Sequence, residues 1–170
     1  MFRTGRIHTG RRGPGRNIAT GGSRVLKFPS AMDYIQQYAI KKEKTMAFID
    51  KLNFDEKGLI PAIIQDEATS KVLTLCYMDA EALEKTMKEK KIYVFRRSKG
   101  RVMLKGETSG CVQSVKGVFV DCANNSLLFK VDQTRAACHE GYFSCYFGRV
   151  SEDGEIVPEG ERIFDPEDVY

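Results

Sequence analysis

From Phe48 onward the chain is cut into short apolar runs, each closed by Gly, Asn, Asp or Ser, and this punctuation leaves room for strands but for few helices. Gly58–Gln65 (GLIPAIIQ) and Val72–Tyr77 (VLTLCY) flank the turn-like Asp66–Ser70, which predicts a hairpin near the start of the domain. Asp79 suits a helix N-cap, and the segment Asp79–Lys91 sets Ala80, Leu83 and Met87 on one face with charges elsewhere, the pattern of an amphipathic helix. Strands are expected at Ile92–Phe95, Val112–Val120, Ser126–Val131 and Tyr142–Phe147. A hairpin turn at Glu152–Gly154 and a short helix starting at Asp165–Pro166 complete the pattern. The fold class expected is α+β, with mostly antiparallel strands and few helices in a single compact domain.

A length of 170 residues with 42% hydrophobic content fits one core, since domains usually run to roughly 100–150 residues. No run approaches the roughly 18 apolar residues of a membrane span, and no apolar secretory segment opens the chain. A cytoplasmic protein without a membrane partner is expected. The net charge of +4 is unevenly placed: residues 1–45 carry ten Lys/Arg against Asp33 and Glu43, a balance of +8, which leaves −4 for the rest. An acidic domain behind a basic leader argues against a nucleic-acid partner. Met1–Gly22 is Gly/Arg-rich and too poor in apolar groups to offset its ordering entropy, so disorder is expected there. A short helix is predicted over Ser30–Lys44, with Ser30 as its cap and Ala31, Tyr34, Ile35 and Tyr38 at helical spacing. The chain divides accordingly into a disordered or spurious extension (1–45, with Met46 as a natural start), a domain (46–150) and a tail packed on it (151–170).

The chemistry gathers in the second half. Three of the five cysteines, Cys122, Cys138 and Cys145, are separated by 16 and 7 residues, with His139 directly after the second. Cys76, inside an apolar strand, is assigned to the core. Three thiols in loop-like sequence bracketing Gly and His favour a soft-metal site, with zinc the natural occupant. Structural zinc is usually closed by four ligands, commonly in C-x2-C pairs, and this chain has no such pair. Three thiolates leave a position for water, whose pKa zinc lowers to roughly 7. His139 is then either a fourth ligand or the proton carrier, the second role being preferred here.

Lys105–Gln113 (KGETSGCVQ), the Asp121–Cys122 pair and Ala137–Cys145 (ACHEGYFSC), together with Gly58–Ala62 (GLIPA), Tyr77–Leu83 (YMDAEAL) and Phe95–Lys99 (FRRSK), resemble the signatures of the phosphoribosyl-AMP cyclohydrolases of histidine biosynthesis. The resemblance covers Phe48 to Phe147. It implies a homodimer with zinc ligands drawn from both subunits, the zinc cysteines being Cys122, Cys138 and Cys145. It also implies a small nucleotide substrate whose adenine ring is opened hydrolytically at the N1–C6 bond, by zinc-activated water, to the phosphoribosyl-formimino carboxamide. His139 is the residue placed to carry the proton to N1. The two phosphates are assigned to the Gly-rich segment Gly106, Glu107, Thr108, Ser109 and Gly110 with Arg97, Ser98 and Lys99 upstream, although the same glycines would also suit a tight hairpin turn.

Two departures from the family pattern stand out. Where the family usually reads Asp-Cys-Asp-x-Asp, with aspartates associated with magnesium, this chain has Asp121-Cys122-Ala123-Asn124-Asn125. Asp121 with the Asn125 amide is what remains of a magnesium site, so weak Mg2+ binding is expected. Cys111 replaces the more usual His or Asn, whose hydrogen bonding a thiol does not reproduce. A catalytically impaired zinc-binding dimer with a structural or regulatory role is the alternative reading.

Overall fold

The computed structural model describes residues 29–160 and 162–169. The leader Met1–Gly22 and the larger part of the extension before Ser30 lie outside them.

Alternation builds the central sheet. Strand β1 (Ile60–Asp66) buries every second residue, Ile60, Ala62, Ile64 and Asp66, as a period of two dictates. It forms the expected hairpin with β2 (Val72–Met78), from Ile60 against Met78 to Gln65 against Val72. The connecting turn closes on Asp66, whose buried carboxylate accepts from Thr69 N (2.8 Å) and Thr69 Oγ1 (2.7 Å) and so is not left unpaired. Helix α2 (Ala80–Glu89) begins where expected: Asp79 caps it, accepting from Ala82 N at 2.7 Å, and Ala82, Leu83 and Thr86 face inward. Thr86 Oγ1 accepts from Tyr93 N at 2.9 Å, tying the helix to the strand that follows.

That strand, β3 (Tyr93–Arg96), pairs with β4 (Arg101–Leu104), which the sequence pattern does not announce. The hairpin turn is Arg97–Gly100, where Lys99 N and Gly100 N both donate to the Arg96 carbonyl. Gly106–Gly110 is therefore a separate loop after β4, and the hairpin-turn reading of it is corrected. β5 (Gln113–Val120) and β6 (Leu127–Gln133) pair antiparallel, and β6 runs parallel to β1, giving the order β2-β1-β6-β5. Leu127, Phe129 and Val131 of β6 interlock with Ile60, Ala62 and Ile64 of β1 in the main core. Each of the larger side chains, Ala62 aside, contributes about 1.5–3 kcal/mol by leaving water.

Two expectations need correction. The helix placed over Ser30–Lys44 runs on: α1 spans Ala31–Ile49, crosses the 45/46 division and delivers Phe48 and Ile49 to the core. Ser30 does cap it, accepting from Asp33 N at 3.2 Å while the Asp33 carboxylate accepts from Ser30 N at 2.8 Å. Tyr142–Phe147 is not a strand. Its backbone is spoken for otherwise, since Cys145 N donates to the Leu73 carbonyl (2.7 Å) and Tyr146 N to Ser144 Oγ (2.9 Å), and the Tyr142 and Phe147 rings stack at 4.0 Å. The strands pair mostly antiparallel, as expected, with β1–β6 parallel.

The C-terminal residues return over the cysteine-bearing loop. The turn over Glu152–Gly154 joins β7 (Gly148–Val150) to β8 (Ile156–Pro158), and Asp165 caps a single 3-10 turn, Pro166–Asp168. Phe164 is buried with Cys111 and Ala136, and Ile163 N donates to the Gly141 carbonyl at 2.7 Å. Among the described residues no helix is long and apolar enough to cross a membrane.

Candidate active site

A cleft of about 1010 Å³ opens between the β2 edge, the β3–β4 hairpin and the loop after β6. The expected site residues reach it from three separate segments. Arg97 and Ser98 come from the β3–β4 turn, Gly106–Ser109 from the loop after β4, and Cys138, His139 and Cys145 from the segment after β6. Lys99 and Gly110 flank the cleft without lining it.

Each segment is held by identifiable bonds. The Gly106–Gly110 loop closes through Gly110 N to the Gly106 carbonyl (2.9 Å), and Gly106 sits at φ +86° with its Cα pressed onto the Cys111 backbone. A Cβ there would lie 2.2 Å from the Cys111 carbonyl oxygen, so only glycine fits. Among the described residues neither the Thr108 nor the Ser109 N–H has a hydrogen-bond partner, which leaves two donors at the loop tip for an anion. Arg97 is stacked on Tyr77, its guanidinium carbon 4.1 Å from the ring centroid, a contact that fixes the charge at the cleft wall.

The cysteine loop is tighter still. Cys138 N donates to the Tyr142 carbonyl, Gly141 N to the Cys138 carbonyl, and Gly141 at φ +82° lies against the Phe164 carbonyl. The far end is pinned to β2 by Cys145 N and by Ser144 Oγ, which donates to the Val72 carbonyl at 2.7 Å. These restraints bring the Cys138 and Cys145 thiols together: burial, then the adjacent Cys145 sulfur, push the Cys138 thiol up. His139 projects outward, its Nε2 3.2 Å from a Glu140 carboxylate oxygen.

Cys122 is elsewhere. It is exposed in the β5–β6 turn, outside the cleft, and no cluster of three metal-ligating side chains forms among the described residues. One chain thus offers two converging soft donors and, at a distance, a third. That donor chemistry suits zinc, provided the set is completed from beyond the single chain. The Asp121 carboxylate is engaged by its own turn, accepting from Asn125 N (2.8 Å), Ser126 N (2.9 Å) and Ala123 N (3.4 Å). Those N–H groups, Ser126 foremost, hold its pKa below the usual range. The Asn125 side chain is exposed. A hard cation at Asp121 would compete with three hydrogen bonds already made.

Sequence reasoning did not single out three residues that the cleft contains. Lys105 donates from Nζ to the Ala137 carbonyl at 3.0 Å, joining the Gly-rich loop to the cysteine loop. Glu140 flanks His139. Cys76, assigned to the core, does pack against it, yet it also lines the cleft; burial pushes its thiol up to about 12, with the Lys105 charge pulling the other way. Adjacency to the Gly-rich motif was the signal available for Lys105, and adjacency to His139 for Glu140.

Residues 74–147 match the family model for phosphoribosyl-AMP cyclohydrolase. A protein of that name from Pelotomaculum thermopropionicum is 50% identical over 122 residues, 72% of this chain and 95% of its own length. Others so named, from Chlorobium phaeovibrioides and Prosthecochloris aestuarii, are 44% and 43% identical over 124 residues, in each case 73% of this chain and 90% of theirs.

Proposed function

Because this chain belongs to the phosphoribosyl-AMP cyclohydrolase family, we propose that its cleft opens the adenine ring of phosphoribosyl-AMP by hydrolysis of the N1–C6 bond, a step of histidine biosynthesis. The observation that carries the reading is the meeting of Cys138, Cys145 and His139 with Arg97 and the Gly106–Ser109 loop in one cleft. A site for two phosphates lies within reach of a site for a soft metal.

Cys138 and Cys145, with Cys122, would hold zinc, which when bound would supply a water acidic enough to react at neutral pH. The residues of the chain do the rest. Thr108 and Ser109 N–H groups and the Arg97 guanidinium hold the phosphates, which fixes the base against the cysteine loop and converts binding energy into orientation. Lys99 and Gly110 support this loop system from outside the cleft. Glu107, exposed at the loop tip, is placed to accept from ribose hydroxyls. As the N1–C6 bond breaks, the oxygen of water remains on C6 and a proton must reach N1; His139, at the cleft rim with Glu140 against its Nε2, is the group assigned to carry it. No cosubstrate is consumed besides water.

Cys122 completes the metal site from a second copy of the chain, making the working unit a homodimer. Its exposure, its separation from the Cys138–Cys145 pair and the exposed Phe119 and Val120 beside it support this arrangement. Magnesium at Asp121 and Asn125 is at most weak, since the carboxylate serves its own turn. An impaired, purely structural relative is not favoured, because the cleft keeps Cys138, Cys145, His139, Arg97 and the Gly106–Ser109 loop and the similar proteins carry the enzyme's name. The test is an assay of the zinc-loaded protein with phosphoribosyl-AMP, following the ring-opened product. Zinc-loaded protein without turnover would hand the argument to the impaired-relative reading.

A further inference from the structure

Lys105 stands at a junction. Its backbone closes the end of β4, with Lys105 N donating to the Ile92 carbonyl at 2.9 Å, and its side chain then crosses to the other wall of the cleft. There Nζ donates to the Ala137 carbonyl at 3.0 Å, a contact between residues 32 apart in sequence. Ala137 immediately precedes Cys138, and the same carbonyl lies 3.9 Å from Cys145 Sγ. One peptide oxygen therefore meets the ammonium and a ligand thiol, while its own peptide leads into the other ligand.

The electrostatics point the same way. Three thiolates around a divalent cation carry a net charge of −1, and a half-buried cleft wall screens that charge poorly. Among the described residues lining the cleft the full cations are Arg96, Arg97 and Lys105. Arg96 and Arg97 are exposed, and Arg97 is committed to Tyr77. Lys105 is half-buried, and its ammonium reaches the same Ala137 carbonyl that Cys145 Sγ approaches, on a cleft wall it shares with Cys76, Cys138 and Cys145.

We infer that Lys105 is the positioning residue of the metal site: its hydrogen bond fixes the Ala137–Cys138 peptide, and its charge offsets the thiolates, so that metal loading depends on it. This rests on the reading of Cys138 and Cys145 as zinc ligands. It is distinct from phosphate binding, the role that a lysine beside a Gly-rich loop would otherwise take. Outer partners of metal ligands typically contribute roughly 10–100-fold to affinity or activity.

The experiment uses the full chain and three variants, Lys105→Met, Lys105→Gln and Lys105→Arg, with zinc affinity measured by competition against a chromophoric chelator, and kcat and KM measured at saturating zinc. Lys105→Met is expected to weaken zinc binding about 10–100-fold and to lower kcat with KM little changed. Lys105→Gln, which keeps a donor but not the charge, should fall between, and Lys105→Arg should recover most of the affinity. Circular dichroism separates this from unfolding, and Lys105→Gln carries the test if Lys105→Met does not fold. Parent zinc affinity in folded Lys105→Gln and Lys105→Met, with KM raised, would overturn the proposal in favour of a phosphate contact. A Cys138→Ser control distinguishes the underlying reading: if it binds zinc like the parent, the ligand assignment fails and the Lys105 inference falls with it, whatever the lysine variants do.

Discussion

Gly106 and Gly110 close the same loop, both at positive φ, yet they should tolerate alanine very differently. At Gly110 (φ +70°) a new Cβ meets nothing within 4 Å, so the substitution costs only the left-handed backbone, about 1–2 kcal/mol. At Gly106 (φ +86°) the Cβ would sit 2.2 Å from the Cys111 carbonyl oxygen, 2.4 Å from its carbon and 2.8 Å from Val112 N. All three are backbone atoms and cannot rotate away. Relief requires moving the Cys111–Val112 peptide, which leads directly into β5, and overpacking of that kind adds about 1–3 kcal/mol. Gly106→Ala should therefore be the less stable variant by about 1–3 kcal/mol. In a chain of this size that difference corresponds to about 2–12 °C in Tm. Thermal and urea unfolding of the two variants in parallel measures it, and the KM for substrate should rise in Gly106→Ala because the Thr108 and Ser109 donors move with the loop. Equal unfolding midpoints, or a lower one for Gly110→Ala, would show that the loop does not pack against Cys111 as described.

Replacing Cys138 with Ser should abolish zinc retention and turnover together, while His139→Ala should keep zinc and lose about 10²–10⁴ in kcat; metal analysis beside the activity assay decides whether His139 is a proton carrier or a ligand. The Cys76 thiol, raised by burial to about 12 from 9.0, stays protonated in the folded chain at pH values where the unfolded chain has lost its proton. Its share of stability is therefore full below pH 9.0 and lost as pH climbs toward 12. Cys76→Ala should flatten that alkaline decline in a Tm–pH series. Asp121, lowered by the N–H groups of its turn, acts in the opposite sense: its contribution is present above the ordinary carboxylate range and disappears as pH falls below it, so Asp121→Asn should remove an acid-side loss of stability. Magnesium titration of the parent, followed by calorimetry, should show weak binding that Ala123→Asp with Asn125→Asp strengthens.

Local signals carried the sequence reading a long way. The alternation of β1, the Asp66–Ser70 turn, the Asp79 cap and the Ser30 cap are each decided by residues within a few positions of one another, so their outcome is written in the chain itself. The same holds for the motif cysteines and His139, whose chemistry is intrinsic to the side chain. Other features depend on what arrives from far away. β4 is short and opens on Arg101, and only its pairing with β3 makes it a strand. Tyr142–Phe147 has strand composition but loses its N–H groups to β2 and to Ser144. The parallel seam of β1 and β6 joins segments more than sixty residues apart. The site divides along the same line. Sequence alone named the thiols, whereas the tertiary structure set Cys122 apart from Cys138 and Cys145, drew Cys76 to the cleft wall and laid Lys105 on the Ala137 carbonyl. The physical reason is that a cap or an alternating face is won by nearest-neighbour sterics and hydrogen bonds. A cleft exists only once burial of the shared core has fixed three distant loops against one another.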